Sequence, residues 1–393
     1  MKTDLNNGVM TLYLSGHIDS SNSADVEKEV MDAISCEKHT SLVLDLKDLE
    51  YISSAGLRIL LKVRKMYDSL RAVNASQSVY EIFEVTGFDQ LIDVSKAMRE
   101  ISIDGCDVLG EGANGIVYRI GRDTIVKVYK NADAIDEIKH ERELSRTAFL
   151  LGIPTAISYD VVKVGERYGA VFELLDAKSL AEVLQENADQ LEFVARKTVE
   201  IAKIIHSTPA PDSLPDEFNT VLSWIDRIKS YLSEDEYENF RMLVNALPRE
   251  GIMIHGDYHI KNLMQQNDET LLIDMDTLSK GHPIFELAYM YNAYKGFGIV
   301  DPGVIERFMG IDSETVYRLW RRMLSLYLGT DDKSVLDDTE DKAALIGLLR
   351  LMRRSIDKGG EGTEDGRAFI SACCDRIKDL LGRIDTLGFE VNE

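Results

Sequence analysis

One polar block between two apolar runs has residue types and spacing that could do chemistry. The block runs from His255 to Asn262 (HGDYHIKN), and a short apolar run after it ends in Asp274. Asp257 supplies a carboxylate that can orient or deprotonate a hydroxyl, while Asn262 and Asp274 supply oxygens that can hold Mg²⁺ on phosphates. The block is suited to phosphoryl transfer if the chain also provides a phosphate-covering loop and a lysine.

The composition indicates an ordinary soluble protein with more than one domain. The 393 residues are 45% apolar and 29% charged, and this length predicts two or three domains. The formal net charge of −23 argues against nucleic acid as a partner, because phosphates require basic surfaces. This acidity fits an ordinary cytosolic surface better than a dedicated site for cations.

The cysteines and the N-terminal residues indicate which cellular compartment and which kinds of site to expect. Cys36, Cys106, Cys373 and Cys374 form neither a CxxC pair nor a Cys/His cluster, so the sequence predicts no zinc site and no disulfide framework. The N-terminus lacks a basic segment followed by an apolar one, and no apolar run reaches about 18 residues. We therefore expect a cytoplasmic protein without a membrane partner.

A glycine-rich segment lies upstream of a strand that carries a lysine. Gly110, Gly112 and Gly115 form a GxGxxG pattern, and the residues after it favour two strands joined by a turn. A dinucleotide fingerprint would open a helix here, whereas strand, glycine loop and strand is the protein-kinase arrangement. Lys127 lies in the second strand, Thr124 to Tyr129, where a kinase places the lysine for the nucleotide phosphates.

The next elements should hold that lysine and form a hinge. Residues 134–151 are predicted to be a helix. The spacing along the chain to residues 152–154 (GIP) favours Glu143 as the partner of Lys127, with Glu141 as the alternative. Residues 168–174 are predicted to be a strand, after which main-chain groups of Glu173 and Leu175 would meet adenine. The fold class expected from this order is an α+β bilobal kinase-like fold, with a β-rich N-lobe at 104–176 and a helical C-lobe at 177–393.

The first hundred residues alternate strands and helices, which implies a small α/β domain. The predicted strands and helices lie at residues 9–14, 22–34, 41–46, 55–66, 70–73 and 79–85. The segments LSGHID (14–19), LVLDL (42–46) and YISSAGLR (51–58) resemble the STAS domain, the fold of bacterial anti-sigma factor antagonists, over residues 1–97.

This resemblance implies a protein partner and places Ser54 where partner kinases phosphorylate the antagonists. A serine directly before an apolar helix is also a normal N-cap, so Ser53 or Ser54 could serve only that purpose. A phosphate at a helix N-terminus would be favourable too, and both interpretations stay open.

The polar block, joined to the glycine loop and its lysine, resembles the aminoglycoside phosphotransferase family of kinase-like folds, which includes choline-kinase-like enzymes. The HxDxxxxN and ID motifs are matched at His255, Asp257, Asn262, Ile273 and Asp274. Residues 281–288 (GHPIFELA) are similar to the family's GDPxxDLA, with His282 and Glu286 as departures. The resemblance covers about residues 104–390.

The resemblance implies roles for individual residues. Asp257 would be the catalytic base, and Asn262 and Asp274 would ligate Mg²⁺, while Asp276 would be an outer-sphere or second-metal residue or only a turn carboxylate. His255 would hold the loop, and His259 would lie at the surface. The nucleotide-binding set would be Gly110, Gly112, Asn114, Gly115, Val117, Lys127, Glu143, Glu173 and Leu175.

The short stretch from Asp274 to Pro283 leaves no room for the activation segment of protein kinases, which favours a small acceptor. The expected function is ATP- or GTP- and Mg²⁺-dependent transfer of the γ-phosphoryl group to a hydroxyl of a small molecule, with the STAS module for regulation or interaction. The alternative is a signalling protein, in which the kinase-like domain acts on Ser54, senses for the STAS domain, or is a nucleotide-binding pseudokinase.

Overall fold

The computed structural model describes residues 1–36, 38–67, 69–112, 114–249 and 251–392. The chain forms two compact units: Met1–Ser102 with Val161–Glu166, and Ile103–Asp160 with Arg167–Glu393. Each unit has its own hydrophobic core. In the described parts of the chain, no helix is long and apolar enough to cross a membrane.

The first unit is a five-stranded sheet with three helices. Its elements are β1 (Lys2–Asn6), β2 (Val9–Ile18), α1 (Ser23–Cys36), β3 (Ser41–Ile52), α2 (Ser54–Arg64), β4 (Leu70–Ala75), α3 (Gln77–Val85) and β5 (Asp93–Lys96). The strands follow the order β1-β2-β3-β4-β5, with β1 antiparallel to β2 and the other neighbours parallel. Parallel strands need crossovers, and α1, α2 and α3 provide them. A short strand, β6 (Arg99–Glu100), follows β5.

Alternating apolar residues explain why this sheet forms and where its core lies. Leu12 and Leu14 of β2 and Leu42 and Leu44 of β3 are all buried, as the period of two requires for one covered face. The strand β1 escaped prediction because its five residues are all exposed and carry no apolar alternation.

The start of α2 decides between the two candidate capping serines. The hydroxyl of Ser53 accepts a hydrogen bond from the N–H of Ala55 at 3.2 Å, while Ser54 is the first residue of the helix and is exposed. Ser53 is therefore the N-cap, and the Ser54 hydroxyl is free of that structural duty.

We predict that Ser53→Ala destabilises α2 by ~1 kcal/mol, because an orphan helix N–H loses its acceptor. Ser54→Ala is the matched control and should change stability by less than ~0.5 kcal/mol, as expected for an exposed site. Hydrogen exchange of the α2 amides, followed by mass spectrometry on the full chain, measures both. Equal protection in the two variants would contradict the capping assignment.

The N-terminal part of the second unit is an antiparallel sheet with one helix. Its elements are β7 (Val108–Glu111), β8 (Gly115–Arg119), β9 (Thr124–Tyr129), α4 (Ile135–Leu150) and β11 (Arg167–Glu173). Between α4 and β11 the chain also forms β10 (Asp160–Val164), which belongs to the first unit from Val161 on. The order β11-β9-β8-β7 is antiparallel throughout, so β9 and its Lys127 lie between β8 and β11. The strand β10 pairs in parallel with β6.

The rest of the second unit is mainly helical around one large core. Its elements are β12 (Lys178–Ser179), α5 (Leu180–Glu186), α6 (Leu191–His206), α7 (Glu217–Arg227), α8 (Glu234–Asn245), β13 (Ile252–Ile254), β14 (Leu263–Gln266), β15 (Glu269–Leu272), β16 (Ser279–Gly281), α9 (Pro283–Tyr294), α10 (Gly303–Met309), α11 (Ser313–Leu328), α12 (Lys333–Asp357) and α13 (Glu364–Leu381). The helix α12 begins at Lys333, where the side chain of Asp332 accepts the N–H groups of Ser334 and Val335.

Candidate active site

The loop between β13 and β14 holds the backbone of Asp257 and leaves its side chain open. The Nε2 of His255 donates to the carbonyl of Ile273 at 3.2 Å, and its Nδ1 accepts the N–H of Asp257 at 3.2 Å. The amide nitrogen of Asn262 donates to the carbonyl of Asp257 at 3.0 Å. The Asp257 side chain is 50% exposed. Side chains elsewhere in the site therefore fix this residue, and its carboxylate remains available.

Glu286 of α9 holds the same loop, and sequence reasoning missed it as a site residue. It is fully buried, and its two carboxylate oxygens accept the N–H groups of His255 at 2.6 Å and Gly256 at 3.1 Å. Burial alone would raise the pKa of Glu286, but the nearby His206 and His255 hold that pKa below its usual value. The signal was present in the sequence, since Glu286 occupies the acidic position of the GDPxxDLA-like segment.

The other departure in that segment, His282, also has a physical explanation. Its Nδ1 accepts the N–H of Ile284 at 3.2 Å and so caps α9, as an aspartate would. Burial, with the charge of His206 adding to it, lowers the pKa of His282 to about 4. The imidazole is therefore neutral near pH 7 and can accept this hydrogen bond.

Asp274 and Lys127 meet directly across the cleft of the second unit. Their Oδ1 and Nζ atoms are 2.9 Å apart, although 147 residues separate them in the chain. Asp274 has a φ of +65°, a left-handed conformation that costs about 1–3 kcal/mol for residues other than glycine and is common at functional sites. The turn after β15 thus aims this carboxylate toward the lysine of β9.

The expected pairing of Lys127 with Glu143 is wrong. The Nζ of Lys127 donates to the carboxylate of Glu141 at 3.1 and 3.3 Å, and Glu143 is exposed. The reason is the helical period: Glu141 lies on the same face of α4 as the buried Leu144 and Ala148, which pack inward. Residue 143 is about 200° further around the helix from residue 141.

The buried surroundings fix the charges of this ion pair. Burial alone would lower the pKa of Lys127, but the carboxylates of Glu141 and Asp274 outweigh it and hold the pKa above its usual value. The hydroxyl of Tyr129 also donates to Glu141, a contact that sequence reasoning did not identify. Lys127 is therefore a permanent ammonium between two carboxylates.

We predict that Glu141→Gln lowers kcat/KM for the nucleotide about 10-fold to 100-fold, since a buried charge partner of this kind is worth roughly 1.5–3 kcal/mol. Glu143→Gln removes the same charge from the same helix and should leave kcat/KM within about twofold. Steady-state kinetics with varied nucleotide distinguishes them. Equal losses in the two variants would contradict the pairing.

Asp276 contacts the glycine loop. The side-chain amide of Asn114 donates to Asp276 at 3.4 Å. Burial raises the pKa of Asp276 to about 7, and the negative charges of Asp274 and Glu141 add to the shift. The negative charges of these carboxylates repel one another, and a bound cation would offset that repulsion. The burial of Asp276 also argues against its being only a solvated turn carboxylate.

Only one glycine of the loop is required by packing. A Cβ on Gly115 would lie 2.7 Å from the carbonyl oxygen of Val128, whereas a Cβ on Gly110 would meet nothing within 4 Å. The turn is closed by the N–H of Gly112, which donates to the carbonyl of Gly115 at 2.9 Å. Within the loop, Ala113 lies outside the described residues. Val117 follows in β8.

The segment predicted to be the hinge, which includes Glu173 and Leu175, lies at the end of β11. Glu173 ends this strand and accepts a hydrogen bond from the hydroxyl of Tyr159 at 3.2 Å. The next residue, Leu174, donates its N–H to the carbonyl of Asp123 at 3.0 Å. Leu175 is the first residue past this contact and lies in irregular backbone.

The donor set fits Mg²⁺. This ion usually keeps several waters and takes one or two carboxylates together with substrate phosphates. The nitrogen of the Asn262 amide is used by the Asp257 carbonyl, so its oxygen is the atom left for a metal. Among the described residues, no group of three or more His, Cys, Asp or Glu is arranged to hold a metal by itself. A site built from Asn262 and Asp274 would therefore depend on the phosphates.

His259 is not at the surface, contrary to expectation. It is 7% exposed, packs against Phe308, and its Nε2 lies 3.7 Å from a carboxylate oxygen of Asp257. Burial lowers its pKa, although the charge of Asp257 opposes that shift. Lys261 is exposed, and its ammonium donates to the carbonyl of Phe308 at 3.0 Å.

Two family descriptions match the chain. The STAS domain matches residues 1–101, and the phosphotransferase enzyme family matches residues 106–324. The first domain is 33% identical over 94 residues to BtrV of Bordetella bronchiseptica, a protein named provisionally as an anti-sigma factor antagonist, covering 23% of this chain and 80% of BtrV. It is 31% identical over 94 residues to the anti-sigma-B factor antagonist of Bacillus subtilis, covering 23% of this chain and 84% of that protein.

Solved structures share the fold of the second unit. A thermostable mutant of the aminoglycoside phosphotransferase APH(4)-Ia, in a ternary complex with ADP and hygromycin B, superposes with a TM-score of 0.50 at 11% identity. The match covers 70% of this chain and 93% of that one. At this identity the likeness shows the kinase-like fold, which confirms the predicted fold class.

Proposed function

Because the chain belongs to the phosphotransferase enzyme family over more than half of its 393 residues and carries an N-terminal STAS domain, we propose that it transfers the γ-phosphoryl group of ATP or GTP to a hydroxyl of a small molecule. The observation that carries this proposal is the convergence of Lys127, Glu141 and Asp274 beside the loop of Asp257. The lobes proposed to enclose the nucleotide are residues 104–176 and 177–393.

Each side chain has one task in this proposal. Lys127, held by Glu141, binds the α- and β-phosphates, and backbone amides of the loop Gly110–Gly115 cover them. Main-chain groups of Glu173 and Leu175 bind the base, and Val117 packs on it. These groups position and neutralise the phosphates, which is most of what phosphoryl transfer asks of a protein.

Asp257 aims the acceptor hydroxyl at the γ-phosphorus. A bond forms between the hydroxyl oxygen and phosphorus as the bond from phosphorus to the bridging oxygen breaks, and ADP or GDP leaves. The hydroxyl proton passes to the Asp257 carboxylate, which is exposed enough to release it to water. The loop contacts that fix its backbone keep the carboxylate in place during this step.

Mg²⁺, when bound with the nucleotide, neutralises charge on the phosphates and orients them. Asn262 and Asp274 would hold it. The carboxyl of Asp276 interacts electrostatically with Asp274, so the same cation would also attract its negative charge. The Oδ1 of Asp274 accepts a hydrogen bond from the Lys127 ammonium at 2.9 Å, which places the proposed ligand carboxylate beside the proposed phosphate-binding lysine.

The connection after Asp274 supports a small acceptor. The strand β16 pairs with β13 from Ser279 to Gly281, and α9 begins at Pro283. Outside these two elements, only residues 275–278 and His282 lie between Asp274 and Pro283, too few for a protein-docking segment of the kind that protein kinases use.

The test is a panel of hydroxyl compounds, including aminoglycosides, choline and sugars, scored by nucleotide consumption with Mg-ATP or Mg-GTP. Acceptor-dependent consumption in the wild type, and its loss in Asp257→Asn, is the expected result. Acceptor-dependent consumption that persists in Asp257→Asn would overturn the assignment of this site.

We propose that the STAS domain binds a protein partner and that Ser54 is its modification site. Ser54 is exposed at the start of α2, and Ser53 supplies the N-cap, so a phosphate on Ser54 would face the helix N-terminus without disturbing the cap. Intact-mass measurement of the full chain after incubation with Mg-ATP tests whether the kinase-like domain itself modifies Ser54. A mass gain of one phosphate that Ser54→Ala abolishes supports this, and an unmodified chain under conditions of nucleotide turnover contradicts self-modification.

A further inference from the structure

We propose that the acceptor carries an oxyanion, a carboxylate or a phosphate, which binds an arginine–aromatic cluster made of Trp224, Tyr289, Arg350 and Arg353. This inference rests on the proposed function and specifies the acceptor of that same site. The cluster joins three helices, α7, α9 and α12, next to the loop of Asp257.

Stacking holds the two guanidinium groups in place. The guanidinium carbon of Arg350 lies 4.0 Å from the ring centre of Tyr289, and that of Arg353 lies 4.8 Å from the ring centre of Trp224. Arg350 is also 6.0 Å from Trp224. Stacking leaves the N–H groups at the edge of a guanidinium able to donate, and those not used by the Gly256 carbonyl and by Asp357 remain for an oxyanion.

The carboxyls near the cluster are all shared with other donors. Asp357 is shared by Arg353 at 3.2 Å and Arg227 at 2.9 Å. Two further carboxyls near the cluster are buried: Glu217, which accepts the hydroxyl of Tyr289, and Glu286, which accepts two backbone N–H groups of the Asp257 loop. Burial raises the pKa of Glu217, while the contacts with Tyr289 and Arg350 oppose that shift.

One atom of the cluster points to a missing partner. The Nε of Arg353 is buried and has no hydrogen-bond partner among the described residues. A buried N–H of a charged group without an acceptor is unfavourable, so an external acceptor is favoured there. The Arg353 side chain as a whole is 26% exposed, which leaves a path for a ligand.

The cluster lies where an acceptor would extend from the reacting hydroxyl. The Nη1 of Arg350 donates to the carbonyl of Gly256 at 2.6 Å, and Gly256 precedes Asp257 in the chain. Successive Cα atoms are about 3.8 Å apart, so the Arg350 guanidinium lies within a few ångströms of the Asp257 backbone. An acceptor whose anion contacts the cluster would place a neighbouring hydroxyl near the Asp257 carboxylate.

Tryptophan fluorescence can test this without knowledge of the true acceptor. The chain has two tryptophans, of which Trp320 is fully buried in the core and Trp224 is partly exposed in the cluster. The full chain, with Mg²⁺ and a non-hydrolysable ATP analogue filling the nucleotide site, is titrated at constant ionic strength. The probes are glycerol 3-phosphate and glycerate, against glycerol and choline as neutral and cationic controls.

The expected result is a saturable emission change with at least one oxyanion probe, at a Kd at least about tenfold below those of glycerol and choline. Arg353→Gln should weaken that binding at least about fivefold. Arg354→Gln, which removes the same charge from an exposed neighbouring position, should not weaken it. The change should disappear in Trp224→Phe.

Tighter binding of choline, equal Kd values in Arg353→Gln and Arg354→Gln, or no response to either oxyanion would overturn the proposal. Arg353 is a cleaner target than Arg350, because Arg350 also supports the Gly256 carbonyl. The readout is binding and needs no turnover. A wild type that binds oxyanions at the cluster but transfers no phosphoryl group would refute the proposed function and leave the anion site standing.

Discussion

Replacing Asp257 by asparagine should lower kcat for the acceptor reaction by about 10²–10⁴-fold, the usual contribution of a positioned general base. The structure predicts that little else changes. The backbone of Asp257, through its N–H and its carbonyl, makes the loop contacts to His255 and Asn262, and asparagine retains both. We therefore expect the free energy of unfolding to change by less than ~0.5 kcal/mol and the nucleotide Kd by less than about twofold.

The measurements are steady-state kinetics with the acceptor identified by the panel, and calorimetric titration with the nucleotide. Asp268→Asn is the matched control, since Asp268 is exposed in the turn between β14 and β15 and should leave kcat unchanged. Wild-type kcat in Asp257→Asn would refute its role as the base. A loss of nucleotide affinity equal to the loss of kcat would instead indicate a disturbed loop.

Glu286→Gln should produce the second large effect, on both stability and rate. The fully buried carboxylate accepts two backbone N–H groups of the loop, and glutamine can accept only one while its amide N–H₂ opposes the other. An unsatisfied buried N–H facing another donor should cost ~2–4 kcal/mol of unfolding free energy. Displacement of the Asp257 loop should also lower kcat about 10-fold to 100-fold in the folded protein.

Urea unfolding of the second unit and kinetics on the folded enzyme separate these two effects. Glu340→Gln is the control, because Glu340 is another largely buried carboxylate, bonded to Trp320 and Lys295. It should lose stability without the fall in kcat. A Glu286→Gln variant that is destabilised but has wild-type kcat would show that Glu286 supports the core and does not position Asp257.

Asp257→Asn and Glu286→Gln should both lower kcat, but for different reasons that a single activity measurement does not distinguish. Asp257 is the group that touches the acceptor in the proposed reaction, so its replacement should change kcat and leave KM for the nucleotide. Glu286 acts through the backbone of His255 and Gly256, so its effect should be partly restored by Glu286→Asp, which keeps the charge on a shorter arm. No such rescue is available at Asp257.

Several features of the site were accessible without coordinates, because local chemistry fixes local spacing. The loop from His255 to Asn262, the strand that delivers Asp274, and the strand that carries Lys127 were all predicted, and the structure brings Asp274 and Lys127 together at 2.9 Å. The helix predicted at residues 134–151 is also present, as α4 at Ile135–Leu150.

The misses have a common cause. Glu143 was preferred to Glu141 on spacing along the chain, although Glu141 shares its helix face with Leu144 and Ala148, and that apolar face could have decided between them. His259 was expected at the surface because a polar residue in a loop usually is exposed, but the segment with Phe308 covers it. Local pattern gives the face of an element, while tertiary packing decides what lies against that face.

The sequence by itself determined which residue types stand at which spacing: the carboxylates of Asp257 and Asp274, the amide of Asn262, a glycine-rich loop and a strand lysine, together with a STAS domain in front. Only the tertiary structure decided that Glu141 holds Lys127, that the buried Glu286 and His282 replace the usual aspartates, and that Arg350 reaches Gly256 from 94 residues away. The physical reason is that a hydrogen bond or ion pair depends on distance and direction in space, and contacts between distant segments leave no periodic trace in the chain.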